Sequence, residues 1–172
     1  FSQVFEEMNT VLRERVQTQL VDSGTRSLLD LFSGSGNLSD DYAASGGQRV
    51  LIDSFIDQSE DGVPDTFQQM DLYDENTFPN FMRKTKEPGF DTILLDPPRR
   101  GFPFLNQWVS KIKPRHVIYV SCNPSSLARD LKNLNVRYRV KSIQLLDLFP
   151  ATAHFETLMV LEILKGSPRR VR

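Results

Sequence analysis

The sequence predicts an α/β protein built on one mostly parallel sheet of seven strands that ends in an antiparallel pair. Three observations predict it. Short apolar runs alternate with amphipathic stretches and short connections along the chain, the pattern of successive strand–helix–strand units. The run "FDTILLDPP" is continuously apolar at its centre, as strands buried on both faces are. The last two apolar runs, "YRVKSIQLLDLF" and "ETLMVLEIL", have no helix between them, only "PATAHF", so they pair antiparallel.

In chain order, "EEMNTVLRERVQTQLVDSG" places Met8, Val11, Leu12, Val16 and Leu20 at helical spacing, with Gly24 soon after. "SLLDLF" is a strand that runs into a glycine turn at Gly34 and Gly36. "QRVLIDSF" is a second strand and "DTFQQMDL" a weaker third. "ENTFPNFMRKTK" suggests a short helix interrupted by Pro79, and "FDTILLDPP" is the fourth strand. "FLNQWVSKI" is a helix whose Trp108 belongs to the core. "RHVIYVSC" is a fifth strand, followed by the helix "SSLARDLKNL" with Ser125 or Ser126 as its cap. The two final strands complete the sheet, and the tail "GSPRRVR" reads as basic and frayed.

Composition bounds the function. A length of 172 residues suggests one domain with a core of its own. A single cysteine excludes an intrachain disulfide framework and fits a reducing, cytoplasmic setting. The sequence has no run apolar enough to span a bilayer and no signal-peptide pattern. A net charge of −1 gives no global attraction to nucleic acid, so any polyanion-binding face is local. The chain opens at Phe1 inside a helical pattern, which suggests a fragment of a longer protein. No metal-ligand spacing is present.

Open α/β sheets bind ligands beyond the carboxyl ends of their strands. The first strand ends in "FSGSGN", whose glycines let a backbone approach a nucleotide-like ligand or simply make a tight turn. The second ends in Asp53, placed to accept both hydroxyls of a ribose, though a surface Asp is common there. The third ends in Asp71, the fourth in Asp96 before two prolines, and the fifth in Cys122 before Asn123 and Pro124. A lone cysteine after an apolar strand is ordinarily a small core residue. Acids or thiols at four successive strand ends, however, line one crevice, and the prolines after Asp96 stiffen its loop.

These residues resemble the S-adenosylmethionine-dependent RNA uracil-5-methyltransferases, which act on ribosomal or transfer RNA. The landmarks occur in order along nearly the whole chain: "FSQV", "LDLFSGSGN", "LLDPPRRG", "YVSCNPSSLARDL" and "DLFPATAHFE". The resemblance implies a Rossmann-like class I methyltransferase fold and S-adenosylmethionine as cofactor. It implies that residues 1–172 form a single catalytic domain, C-terminal to an absent RNA-binding region, with ribosomal or transfer RNA as substrate and a monomeric state expected. It assigns Cys122 as nucleophile, Glu156 as general base and Asp96 as a carboxylate near cofactor and target base. It places Gln3, Phe32, Gly34, Gly36, Asn37, Asp53, Asp71 and Asp96 around the cofactor.

The chemistry needs those residue types. Carbon 5 of uracil is a weak nucleophile until a thiolate adds to carbon 6, and a carboxylate then removes the carbon 5 proton. A free thiol titrates at about 8.5, so the amides of the helix opening at Ser125 are expected to favour the thiolate. His154 either assists that base, stacks on RNA or fixes its loop by a hydrogen bond. Arg99, Arg100 and Arg129 either contact phosphates or form a solvated charged face.

The chain departs from the family pattern mainly on the cofactor side. Ser33 stands where cysteine is usual, Phe5 where asparagine is usual, and Ile52 where glycine is usual. The acidic "QSEDGVP" takes the place of a full helix, so the adenine wall is expected to be built differently. Two other readings follow: a homologue that binds RNA or protein without catalysis, and an amino-nitrogen methyltransferase that uses the Asp-Pro-Pro loop.

Overall fold

The structure, a computed structural model, describes residues 2–55, 67–85, 89–132, 134, 137–147 and 155–164. Helix α1 spans Ser2–Asp22. It is followed by β1 (Ser27–Leu31), a 3-10 turn (Asn37–Ser39) that runs into the short α2 (Asp40–Ala44), β2 (Gln48–Asp53) and β3 (Phe67–Gln69). Then come α3 (Thr77–Lys84), β4 (Thr92–Leu95), α4 (Leu105–Ile112), β5 (His116–Ser121), α5 (Pro124–Leu131), β6 (Tyr138–Leu146) and β7 (Glu156–Ile163). His154, the acidic stretch "QSEDGVP" and the basic tail lie outside the described residues.

The seven strands form one sheet in the order β3-β2-β1-β4-β5-β7-β6. Strands β1 to β5 pair in parallel, while β7 pairs antiparallel with both β5 and β6. The expected antiparallel pair is therefore present, and β7 is the one reversed strand. It lies inside, between β5 and β6, because of its composition. Residues Thr157 to Leu161 of β7 are all buried, whereas every residue of β6 after Tyr138 is exposed or only partly covered, so β6 tolerates an edge.

Two apolar layers sandwich the sheet. On one face Leu12, Val16 and Leu20 of α1 and Tyr42 of α2 pack on Leu28, Leu94, Ile118, Val120 and Val160. On the other, α3, α4 and α5 cover Leu29, Leu31, Ile93, Leu95, Val117 and Tyr119. Adjacent strand residues alternate between the layers, as the two-residue period of a strand requires. The continuous apolar run of β4 is explained by this burial on both faces.

Two local expectations change. Pro79 does not interrupt α3, because it is the third helical residue, where its missing N–H has no partner within the helix. The cap of α5 is Asn123, not a serine: its side chain accepts from the Ser125 amide, and Pro124 takes the first helical position.

Trp108 is 1% exposed and meets Phe78 and Phe81 at ring-centroid distances of 4.9 and 5.1 Å. Trp108→Ala is expected to cost about 3–5 kcal/mol, read as a lowered midpoint in urea unfolding.

Candidate active site

The carboxyl ends of the parallel strands open onto one cavity of about 740 Å³. Each strand delivers its residue where the ladder stops. Phe32 follows β1; Asp53 ends β2; Asp71 and Tyr73 follow β3. Asp96, Pro97, Pro98, Arg99 and Arg100 follow β4, Cys122 follows β5, and Glu156 opens β7.

Cys122 and Glu156 come together through the β5–β7 register. The last ladder pair is Ser121 with Thr157. One step outward, Cys122 and Glu156 leave the sheet on the same side, because side chains alternate along both strands. The Cys122 thiol and the Glu156 carboxylate are both half-buried and line the same cavity. Cys122 is therefore not a sealed core residue.

Phe32 adopts φ 58°, a left-handed conformation that costs a bulky residue energy. It turns the chain from β1 into the glycine turn and packs the ring on Tyr73 and Phe102, at 5.5 and 5.0 Å. Gly34 sits at φ 53°, and its amide donates to Asp53 Oδ2 at 2.8 Å. Asp53 Oδ1 accepts from the Ser54 hydroxyl and the Phe55 amide, both at 3.2 Å. Asp53 thus braces the turn while lining the cavity. Asp71 Oδ1 accepts from the Tyr73 amide at 2.9 Å. The guanidinium of Arg100 lies 3.3 Å from the centre of the Tyr73 ring.

Gly34, Gly36 and Asn37 are predicted cofactor residues that do not belong to this lining. Asn37 exchanges amide hydrogen bonds with Asn9 of α1, at 3.0 and 2.7 Å. Gly36 supports the turn from below, where its carbonyl accepts from Arg49 at 3.0 Å. The side chain of Gln3 lies outside the described residues. Tyr73 was not predicted; its signal was an aromatic residue two places after Asp71. Arg129, read as a phosphate contact or a solvated charge, is held by Asp130 and the Arg100 carbonyl.

Comparison with known proteins decides the family. The sequence model of the tRNA (uracil-5-)-methyltransferase family matches residues 82–164. The 23S rRNA (uracil(1939)-C(5))-methyltransferase RlmD of Shewanella woodyi is 35% identical over 176 residues, which is 95% of this chain and 38% of that protein. The chain belongs to the S-adenosylmethionine-dependent RNA uracil-5-methyltransferase family. A family member of known structure, the Pyrococcus abyssi tRNA (uracil-54, C5)-methyltransferase in complex with S-adenosyl-L-homocysteine, superposes with a TM-score of 0.61. That match has 32% identity and covers 78% of this chain and 33% of the other. An O-methyltransferase from Bacillus cereus, 15% identical with a TM-score of 0.64 over 94% of this chain and 89% of its own, shares the fold alone. This chain spans 38% of the length of the curated relatives it matches. Among the described residues, no helix is long and apolar enough to cross a membrane.

Electrostatics set the resting state of this cavity. Burial pushes Asp96 up to about 7, with Glu156 and Asp30 adding to the shift. Burial also raises Glu156. The Cys122 thiol is raised by burial, then by Glu156 and Asp96, and Arg99 opposes them. The helix expected to favour a thiolate offers little at its first turn: Pro124 has no amide hydrogen, and the Ser125 amide is taken by Asn123 Oδ1 at 3.1 Å. A further carboxylate, Asp30 on β1, is 2% exposed and also raised to about 7, mainly by burial. It accepts from the Ser39 hydroxyl at 2.6 Å, and Arg49 donates to that same hydroxyl at 2.8 Å, beneath the glycine turn. A charged residue inside the apolar "LLDLF" was its signal.

A folded-state value above the unfolded one means that the folded protein holds more protons between the two. Stability therefore falls as pH rises from about 4 through about 7 wherever Asp30 and Asp96 titrate. Asp96→Asn is expected to stabilise the protein by about 1–3 kcal/mol at pH 8 and to leave it almost unchanged at pH 4. Thermal melts at the two values check this.

Proposed function

We propose that this domain transfers a methyl group from S-adenosylmethionine to carbon 5 of a uridine in ribosomal or transfer RNA, through a covalent Cys122 adduct at carbon 6. The observation that carries the reading is the placement of Cys122 and Glu156 by adjacent strands in one cavity that also holds Asp96. Family membership supports the same substrate class.

The residues present fit the cofactor. Asp53, Asp71, Asp96 and Glu156 give the cavity four carboxylates, which suit a cation. Asp53 would hold the ribose hydroxyls, and Phe32 offers an aromatic wall. The volume falls in the range of about 300–1,000 Å³ usual for small-molecule sites. When bound, S-adenosylmethionine supplies an electrophilic methyl group on a positively charged sulfur.

The chain's own groups do the rest. A base must leave its stack to reach sulfur at this depth. The Cys122 thiolate bonds to carbon 6, and the carbon 5–carbon 6 π pair moves toward the carbon 4 carbonyl, leaving an enolate with a nucleophilic carbon 5. Carbon 5 would then take the methyl group as the methyl–sulfur bond of the donor breaks, with that electron pair remaining on sulfur. Glu156 removes the proton from carbon 5, the double bond re-forms, and the Cys122 sulfur leaves with its electron pair. Glu156 and Asp96 both oppose the Cys122 thiolate, so protonating either carboxylate removes an opposing charge.

Two variants separate this reading from its rivals. Glu156→Gln is expected to accumulate a covalent protein–RNA species on a denaturing gel, because the proton on carbon 5 stays in place. Cys122→Ala is expected to lose methylation by at least about 10³-fold. Full activity in Cys122→Ala favours an amino-nitrogen methyltransferase, and failure to bind S-adenosylmethionine at micromolar levels favours a non-catalytic binding module.

A further inference from the structure

The loop from Asp96 to Gly101 carries two of the groups that face Cys122, yet it extends beyond the β4 ladder. Beyond Asp96, side chains fasten it to the rest of the protein. Asn123 Nδ2 donates to the Arg99 carbonyl at 2.9 Å, Arg129 to the Arg100 carbonyl at 2.5 Å, and the Tyr73 hydroxyl to the Gly101 carbonyl at 2.7 Å. The next amide, that of Phe102, donates to Asp130 Oδ2 at 2.5 Å.

Asp130 is the centre of this arrangement. Its side chain has 0% exposure. Oδ2 also accepts from the Tyr119 hydroxyl at 2.8 Å, while Oδ1 accepts from Arg129 through two nitrogens, at 3.1 and 2.9 Å. A carboxylate withdrawn from water is tolerated when its lone pairs are filled in this way. Tyr119 lies on β5 three residues before Cys122. The fit is tight: at Gly101, φ +74°, a methyl group would overlap Asp130 Oδ2 and Arg129. The mechanism described above gives Asp130 no chemical step.

We propose that Asp130 is a positioning residue that, through Arg129 and the Phe102 amide, locks the Asp96–Gly101 loop so that Arg99 faces the Cys122 sulfur. The proposal rests on Cys122 being the nucleophile, which it deepens. Cys122 is faced by Asp96 and Arg99 from the β4–α4 loop and by Glu156 from β7, with Asp53, Asp71 and Arg100 in the same lining. Asp96 is tied to β1 by its own amide, which donates to the Leu31 carbonyl at 3.4 Å. Arg99, three residues further on, has its own carbonyl held by Asn123 and the next one held by the clamp through Arg129. Loosening the clamp therefore removes the cation and leaves the carboxylate.

The test is the pH profile of Cys122 alkylation by iodoacetamide, followed by peptide mass mapping. In Asp130→Asn, and in Arg129→Gln, whose exposed side chain makes misfolding a lesser hazard, the midpoint is expected to rise by about one unit. His116→Gln, at the opposite end of β5, is the stability control and should leave the midpoint in place. If Asp130→Asn does not fold, Arg129→Gln decides alone. An unmoved midpoint, or an equal rise in the control, overturns the clamp. Alkylation uses neither RNA nor methyl donor. A raised midpoint therefore supports the clamp even if Glu156→Gln gives no adduct, and an adduct with an unmoved midpoint overturns the clamp alone.

Discussion

The antiparallel ladder between β5 and β7 is the constraint on which the site depends. Six residue pairs, from His116–Glu162 to Ser121–Thr157, fix the register of the two strands. Slipping that register by one residue would turn the carboxylate to the other face of the sheet, away from the thiol. The register is in turn secured by burial, since Leu158 and Val160 must fill one apolar layer and Met159 and Leu161 the other. Core packing thus sets the relation between two polar side chains that lie beyond the core. The inner position of β7 follows from the same burial, and a cavity with a thiol and a carboxylate from neighbouring strands is the result.

Charge gives the site its second character. Four carboxylates share one cavity, and burial makes ionisation of Asp96 and Glu156 less favourable than in water. Such a cavity is poorly stabilised when empty and well suited to a cation. The opposing charges on hand, Arg99 and Arg100, both come from the loop after β4 and not from a strand. Tyr73 engages the guanidinium of Arg100 by its ring face and the Gly101 carbonyl by its hydroxyl, so it organises the loop and the aromatic wall together.

Much of this was legible in the sequence. β4 and β5 announced themselves because strands buried on both faces need unbroken apolar runs. The strand-end residues Asp53, Asp71, Asp96 and Cys122 converge on one cavity because parallel strands end together. What the sequence concealed depends on contacts distant along the chain. Asp130 sits in "LARDL", where a charged pair on an amphipathic helix reads as solvent-facing, and only the arrival of Tyr119 and the Phe102 amide explains it. The family resemblance makes Asn37 a ligand residue, yet Asn9 of α1 takes its amide. The short helical stretch from Asn37 to Ala44 lacks an apolar period long enough to show. Asn123 was masked as a cap by the serines that follow it.

The central claim is that the Cys122 sulfur bonds to the pyrimidine while the methyl group arrives. The most direct measurement is mass spectrometry of the protein after incubation with S-adenosylmethionine and an RNA carrying 5-fluorouridine, whose fluorine cannot be abstracted as a proton. The account predicts an RNA-linked peptide containing Cys122, heavier by one methyl group on the base. Methylation of ordinary RNA together with an unmodified Cys122 peptide after exposure to the fluorinated RNA would contradict it.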